Sequence, residues 1–297
     1  MDFDKKTLTK KALLIVAASF LLYNVYQAIT TTIFVFHFPL VINQLPNLIE
    51  SSRPSLQLAL FIIQEIAGSV GSYLRLIGAI FAVNCALLLI KNDARYIERL
   101  SKLLLFEALY FLLLLPAAIN HIVGSVISYS AFLNFYAGVS CLLQAALLFP
   151  PLFILSHKLR KPQDRPPILK WAVISAPVYV LVLWIKHGLF WLYALSSSGP
   201  QQTGFIEAIG SVNSLLTLLV AAMVATITSI SYWPEKKLNT RLVTTALLLV
   251  GAYFAIYALV SVWIPIYLSF IPLTDFWLIT LLILGIALLR DSSRLSE

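Results

Sequence analysis

Long apolar blocks dominate the hydropathy pattern of this chain, and short polar segments separate them. A helix needs about 20 residues to cross about 30 Å of hydrocarbon, so such blocks are typical of membrane-spanning helices. The predicted spans lie near residues 12–36, 67–90, 103–127, 132–156, 171–195, 207–231, 242–267 and 273–289. We therefore predict an all-α fold, a polytopic transmembrane bundle of about eight spans that forms one integral membrane domain over residues 1–297.

Composition and charge agree with this pattern and add an orientation. Apolar residues make up 60% of the chain and charged residues 11%, against about 45–50% and about 25% in soluble domains. Of the 21 Lys and Arg residues, all but Arg53, Arg75 and Lys186 lie at the termini or in alternate connections between spans. This asymmetry, with an even number of spans, predicts that both termini are cytoplasmic. We also expect the protein to reside in the plasma membrane. The asymmetry also explains the net charge of +8 without nucleic acid as a partner.

Three features of the pattern concern the arrangement of the spans. Residues 65–72 resemble residues 207–214, which suggests a parallel duplication of a four-helix unit with halves 1–156 and 157–297. Pro39, Pro46 and Pro54 are expected to divide the external segment 37–66 into short pieces, and its second half either lies in the membrane interface or extends span 2 outward. Span 2 also carries a surface of small residues, which we expect to pack inside the monomer rather than in a dimer interface: Gly68, Gly71 and Gly78.

The candidate functional residues are charges at membrane depth. Arg75 and Lys186 each lie roughly 12 Å inside the external end of a predicted span. A cation there costs at least about 2.5–3.5 kcal/mol, so it is normally paired or faces a polar cavity. The predicted ligand-binding residues are Arg75, Lys186, Glu65, Glu207, His121, His187 and Asp275. They would form an outward-facing polar site for an anionic solute or lipid headgroup, since a guanidinium binds oxyanions bidentately.

The alternative is a purely structural role for these charges. Arg75 would then pair with Glu65 or Asp275, and Lys186 would extend its ammonium to the membrane surface. Glu107, near the cytoplasmic start of span 3, is expected to pair with Lys102 or Arg99.

Function is less constrained than architecture. The chain lacks a Walker A loop, an H-E-x-x-H helix, a G-x-S-x-G elbow and a T-V-G-Y-G filter, and no family resemblance is identified. The four histidines show no helical metal-ligand spacing, so neither a metal nor a cofactor is predicted. A transporter or permease is favoured. A non-catalytic subunit of a homo- or hetero-oligomeric membrane complex, and a membrane enzyme with an external active site, stay open, with an enzyme less favoured.

Overall fold

Every secondary-structure element that the structure describes is an α-helix. The computed structural model describes residues 5–44, 54–127 and 131–160. Their helices are α1 (Lys5–Gln44), α2 (Pro54–Ile90), α3 (Tyr96–Leu112), α4 (Leu115–Ile127) and α5 (Ala131–Lys158). Among these described residues, three segments are long and apolar enough to cross a membrane: Ser55–Ile90, Tyr96–Val126 and Ala137–Lys158. For this part of the chain the prediction of an all-α fold is confirmed, and its apolar helices are consistent with a membrane protein. The eight spans and the duplication stay predictions because the second half of the chain lies outside the described residues.

The first two helices extend beyond the ends that the apolar pattern predicted. The helix α1 continues through Pro39 to Gln44, although residues 37–66 were expected to break into short pieces. A proline inside a long helix removes one backbone hydrogen bond without ending the helix. The helix α2 begins at Pro54, since a first helical position needs no intrahelical N–H donor. Of the two alternatives for the segment before residue 67, the extension of span 2 is therefore the one observed.

The third predicted span is interrupted near its middle. Two turn residues, Leu113 and Leu114, separate α3 from α4. Pro116 has no N–H group to donate to the carbonyl of Leu112, which removes the helical hydrogen bond across this point. The N–H of Leu114 instead bonds the carbonyl of Phe111 at 3.2 Å, as in a tighter 3₁₀ turn. The break places the two leucines beside α2 and α1.

The helix α2 is the centre of the described bundle. It packs against α1, α3 and α4, and α5 packs against α3 and α4. Two glycines allow the close approach of α3: a Cβ at Gly71 would lie 3.2 Å from the ring of Tyr110, and one at Gly78 would lie 3.3 Å from Oε1 of Glu107. A Cβ at Gly68 would meet nothing within 4 Å. Part of the small-residue surface thus packs inside the monomer, and Gly68 borders open space.

The connection between α2 and α3 is a five-residue polar turn. Asn92 adopts a left-handed conformation with φ 59°, and the N–H groups of Asn92 and Asp93 bond the carbonyls of Leu89 and Leu88. This is a Schellman ending, in which asparagine is tolerated at the left-handed position. The carboxylate of Asp93 then accepts the backbone N–H of Arg95 at 2.9 Å and its guanidinium at 2.6–3.1 Å. So short a turn makes α2 and α3 antiparallel neighbours.

The Asp93–Arg95 contact predicts a pH dependence. Hydrogen bonds from the Arg95 side chain and then from its backbone lower the pKa of Asp93 from 3.8 to about 2. Because the folded pKa is the lower one, the contact stabilises the folded chain above about pH 4 and is lost as the pH falls through about 2. We expect Asp93→Asn to lower the thermal unfolding midpoint slightly at pH 6, with a difference from wild type that shrinks toward pH 2. A difference that grows on acidification would contradict this.

Candidate functional site

A buried charge cluster joins α2 to α3 through Arg75, Glu107 and Tyr110. The side chain of Arg75 is 1% exposed and that of Glu107 0% exposed, and Nε of Arg75 lies 3.9 Å from Oε2 of Glu107. The guanidinium carbon of Arg75 lies 4.0 Å from the centroid of the Tyr110 ring, within the range of a cation–π contact. The cation is thus held by a carboxylate and an aromatic ring together.

The Glu107 carboxylate is the less satisfied member of this cluster. Among the described residues neither of its oxygens has a hydrogen-bond partner, and the ion pair is longer than a hydrogen bond. Charges removed from water are stabilised only when paired. Removing either Arg75 or Glu107 should therefore destabilise the protein more than removing one partner of an exposed ion pair.

The pairing differs from the expectations that fall on described residues, and Asp275, the other expected partner of Arg75, lies outside them. Of the two expected partners of Glu107, Lys102 instead bonds Glu98 at 2.7 Å on its own helix, and the guanidinium of Arg99 lies 5.9 Å from the centroid of the Phe81 ring. Glu65 lies ten residues before Arg75 on α2, about 15 Å along the helix axis, so the two cannot face each other. Glu107 also lies deeper than predicted, because α3 begins at Tyr96, and Glu107 is about 16 Å along the helix axis from that first residue.

A pocket of about 410 Å³ lies between α1, α2 and the α3–α4 break. From α2 it is lined by Glu65, Gly68, Ser69 and Ser72, which share one face because they are three or four residues apart. Further lining comes from α1 and from the break: Thr30, Thr31, Phe34, Tyr110, Leu113 and Leu114. Tyr110 is common to the pocket and the buried charge cluster, so its ring separates Arg75 from the pocket.

The polar groups of α1 are mostly bonded within the protein. The hydroxyl of Thr30 donates to the carbonyl of Gln27 at 2.9 Å, and the hydroxyl of Thr32 donates to the carbonyl of Ala28 at 2.7 Å. The Thr32 oxygen also lies 2.9 Å from the hydroxyl of Tyr73 on α2. Asn24 is buried and donates to the carbonyl of Phe20 at 2.9 Å. The polar side chains of α1 thus include one, Thr32, whose contact with Tyr73 fixes α1 beside α2 next to the pocket.

Two amide contacts hold α4 in place. The side-chain amide of Asn120 donates to Oε1 of Gln64 on α2 at 2.6 Å. The neighbouring His121 is half-buried and hydrogen-bonds the side chain of Asn134 on α5. His121 is therefore engaged between α4 and α5, away from the residues that line the pocket.

The described members of the predicted ligand site do not lie together in the structure. Glu65 lines the pocket, Arg75 lies behind Tyr110, and His121 faces α5. The other four predicted residues, Lys186, His187, Glu207 and Asp275, lie outside the described residues. Glu107 and Tyr110 were missed as site residues. The short turn between α2 and α3 was the available signal, since it makes the two helices antiparallel neighbours and brings α3 within reach of the long Arg75 side chain.

This arrangement provides a polar, partly open recess beside a charge pair at membrane depth. Its described lining offers hydroxyl groups, one carboxylate and two aromatic rings, with apolar walls. Such a mixture suits reversible binding of a small polar group with an apolar attachment. Comparisons with protein-family models, curated proteins and solved structures give no match, so the geometry of the site carries the functional argument.

Proposed function

We propose that the protein is a multi-pass transporter or permease whose solute or lipid-headgroup site includes the α1–α2 pocket. In this proposal the chain has eight spans in the plasma membrane and both termini are cytoplasmic, which places the basic α2–α3 turn inside the cell. Glu65 lies 25 residues before Ile90, about 38 Å along α2. This length exceeds the hydrocarbon thickness of about 30 Å, so the pocket would open near the outer headgroups.

The single observation that supports transport is a polar pocket lined by a broken helix. Leu113 and Leu114 interrupt span 3 and both line the pocket. Discontinuous helices beside a polar site recur in secondary transporters, where the half-helix ends and the unwound backbone carbonyls bind the substrate or its coupling ion. A structural subunit has no need of such a pocket.

An enzyme is less well supported by the described lining. Among the described residues that line the pocket, Glu65 is the one carboxylate, and none is a histidine, lysine or arginine. General acid–base catalysis usually needs a second positioned group. The anionic ligand predicted at Arg75 and Lys186 stays a prediction, and Arg75 already faces Glu107 and Tyr110.

Uptake into proteoliposomes containing the full chain tests the transport proposal. We expect wild-type vesicles to take up at least one class from a labelled panel of primary amines, amino acids, sugars and carboxylates faster than protein-free vesicles. Gly68→Trp should reduce this uptake at least about tenfold because the indole would occupy the pocket. Gly68→Ala is the matched control, since its Cβ meets nothing within 4 Å. Uptake equal to that of protein-free vesicles, or unchanged by Gly68→Trp, would refute the proposal.

A further inference from the structure

The described lining of the pocket carries negative charge only. Glu65 contributes a half-buried carboxylate, and the described lining contains no cationic side chain. Within residues 5–44, 54–127 and 131–160, Glu65 forms no ion pair. Arg75 lies behind the Tyr110 ring with Glu107 as its counter-ion. A carboxylate in a low-dielectric recess attracts a cation and repels an anion.

The hydroxyl groups of the lining reinforce this preference. Thr30 donates its single hydroxyl hydrogen to the carbonyl of Gln27 at 2.9 Å, and Ser72 donates to the carbonyl of Gly68 at 3.1 Å. Only acceptor lone pairs remain on these two oxygens. Thr31 and Ser69 can serve in either role. The pocket therefore presents mainly acceptors, and its ligand must supply the donors.

Aromatic and apolar groups complete the lining. Phe34 offers a ring to the same space, and ammonium groups bind favourably over aromatic faces. Leu113 and Leu114 provide apolar contact for a hydrocarbon attached to the charged group. At about 410 Å³ the pocket has room for a headgroup-sized amine.

We propose that the α1–α2 pocket binds an organic ammonium group, with Glu65 as its counter-ion. This inference rests on the proposed function, which makes this pocket the ligand-binding site, and it adds the chemical class of the ligand. A primary ammonium can belong to a free amine or to an aminophospholipid headgroup. Both sources share this chemistry, and the experiment distinguishes them.

The free-amine arm uses the purified full chain in detergent and three probes of four carbon atoms each: butylammonium, butanol and butyrate. We expect saturable binding of butylammonium and weaker binding of the other two. Glu65→Gln should weaken butylammonium binding about 10- to 100-fold, the range for losing one charge-assisted contact. Glu98→Gln, a carboxylate-to-amide change on the opposite part of the bundle, is the matched control and should bind as wild type does.

The lipid arm uses nanodiscs of equal phosphatidylethanolamine and phosphatidylglycerol content, with the lipid that remains bound after extraction identified by mass spectrometry. Retention of phosphatidylethanolamine by wild type and its loss in Glu65→Gln would support the lipid source. Gly68→Leu, which fills the pocket but keeps the carboxylate, should abolish binding in both arms. Equal binding of butyrate, insensitivity to Glu65→Gln, or binding in neither arm would overturn the proposal. Glu65-dependent binding of butylammonium without uptake of any primary amine would leave the ammonium site standing and refute transport of its free-amine ligand.

Discussion

Replacing either Arg75 by Met or Glu107 by Leu is expected to lower the free energy of unfolding by about 3–5 kcal/mol, because each change leaves an uncompensated charge in the buried interior. Both side chains are almost fully buried and lie 3.9 Å apart at their closest charged atoms. The double variant Arg75→Met/Glu107→Leu should recover most of this loss, since two apolar side chains of similar volume remove both desolvated charges together. Reversible unfolding in mixed detergent micelles measures all three variants.

An exposed ion pair supplies the control for this experiment. Glu98 and Lys102 bond at 2.7 Å, one turn apart on α3, with side chains 52% and 34% exposed. Such pairs contribute about 0–1 kcal/mol, so Glu98→Gln and Lys102→Met should have small effects. A double Arg75/Glu107 variant whose loss equals the sum of the two single losses would show that the charges do not depend on each other.

The second large effect is expected at Gly138, where α5 crosses α4. A Cβ at this position would lie 2.6 Å from Cγ1 of Ile122, 2.9 Å from its backbone nitrogen and 3.0 Å from the carbonyl oxygen of Ala118. Backbone atoms cannot rotate away, so the helices would have to separate. We expect Gly138→Ala to lower the free energy of unfolding by about 1–3 kcal/mol, the usual cost of overpacking.

Gly68→Ala is the matched comparison for Gly138→Ala. Alanine raises helix propensity over glycine by about 1 kcal/mol at both positions, and only Gly138 has neighbours in the way. The difference between the two variants therefore isolates the α4–α5 contact. Equal stabilities in the same unfolding assay would rule out the close crossing.

Tyr110 connects the stability of the bundle with the proposed binding site. Its ring contacts the Arg75 guanidinium, and Tyr110 also lines the pocket together with Glu65. Loss of the Arg75–Glu107 pair would thus alter a pocket wall as well as helix packing. Ligand binding by the double variant, compared with its stability, would separate these two roles.

The glycines and prolines show how far local sequence can be interpreted. Gly71 and Gly78 were predicted to permit close packing, and they do approach α3, because missing side chains allow contact whatever the partner. Pro39 was predicted to help divide the external segment 37–66 into short pieces, but it lies inside α1, since a long apolar helix tolerates one lost hydrogen bond. Pro116 did interrupt its span, with two turn residues before α4.

The amino-acid sequence by itself determined that this part of the chain is helical and suited to a membrane, because apolar blocks of spanning length have few other solutions in lipid. It also indicated that Arg75 either has a buried partner or faces a polar cavity. The tertiary structure gave Arg75 a partner, Glu107 rather than Glu65, since pairing depends on where each helix begins and on the turn at residues 91–95. It also placed Glu65 in a pocket with Thr30, Ser72 and Tyr110. Hydropathy cannot supply such a juxtaposition, because it records depth in the membrane and not which helix faces which.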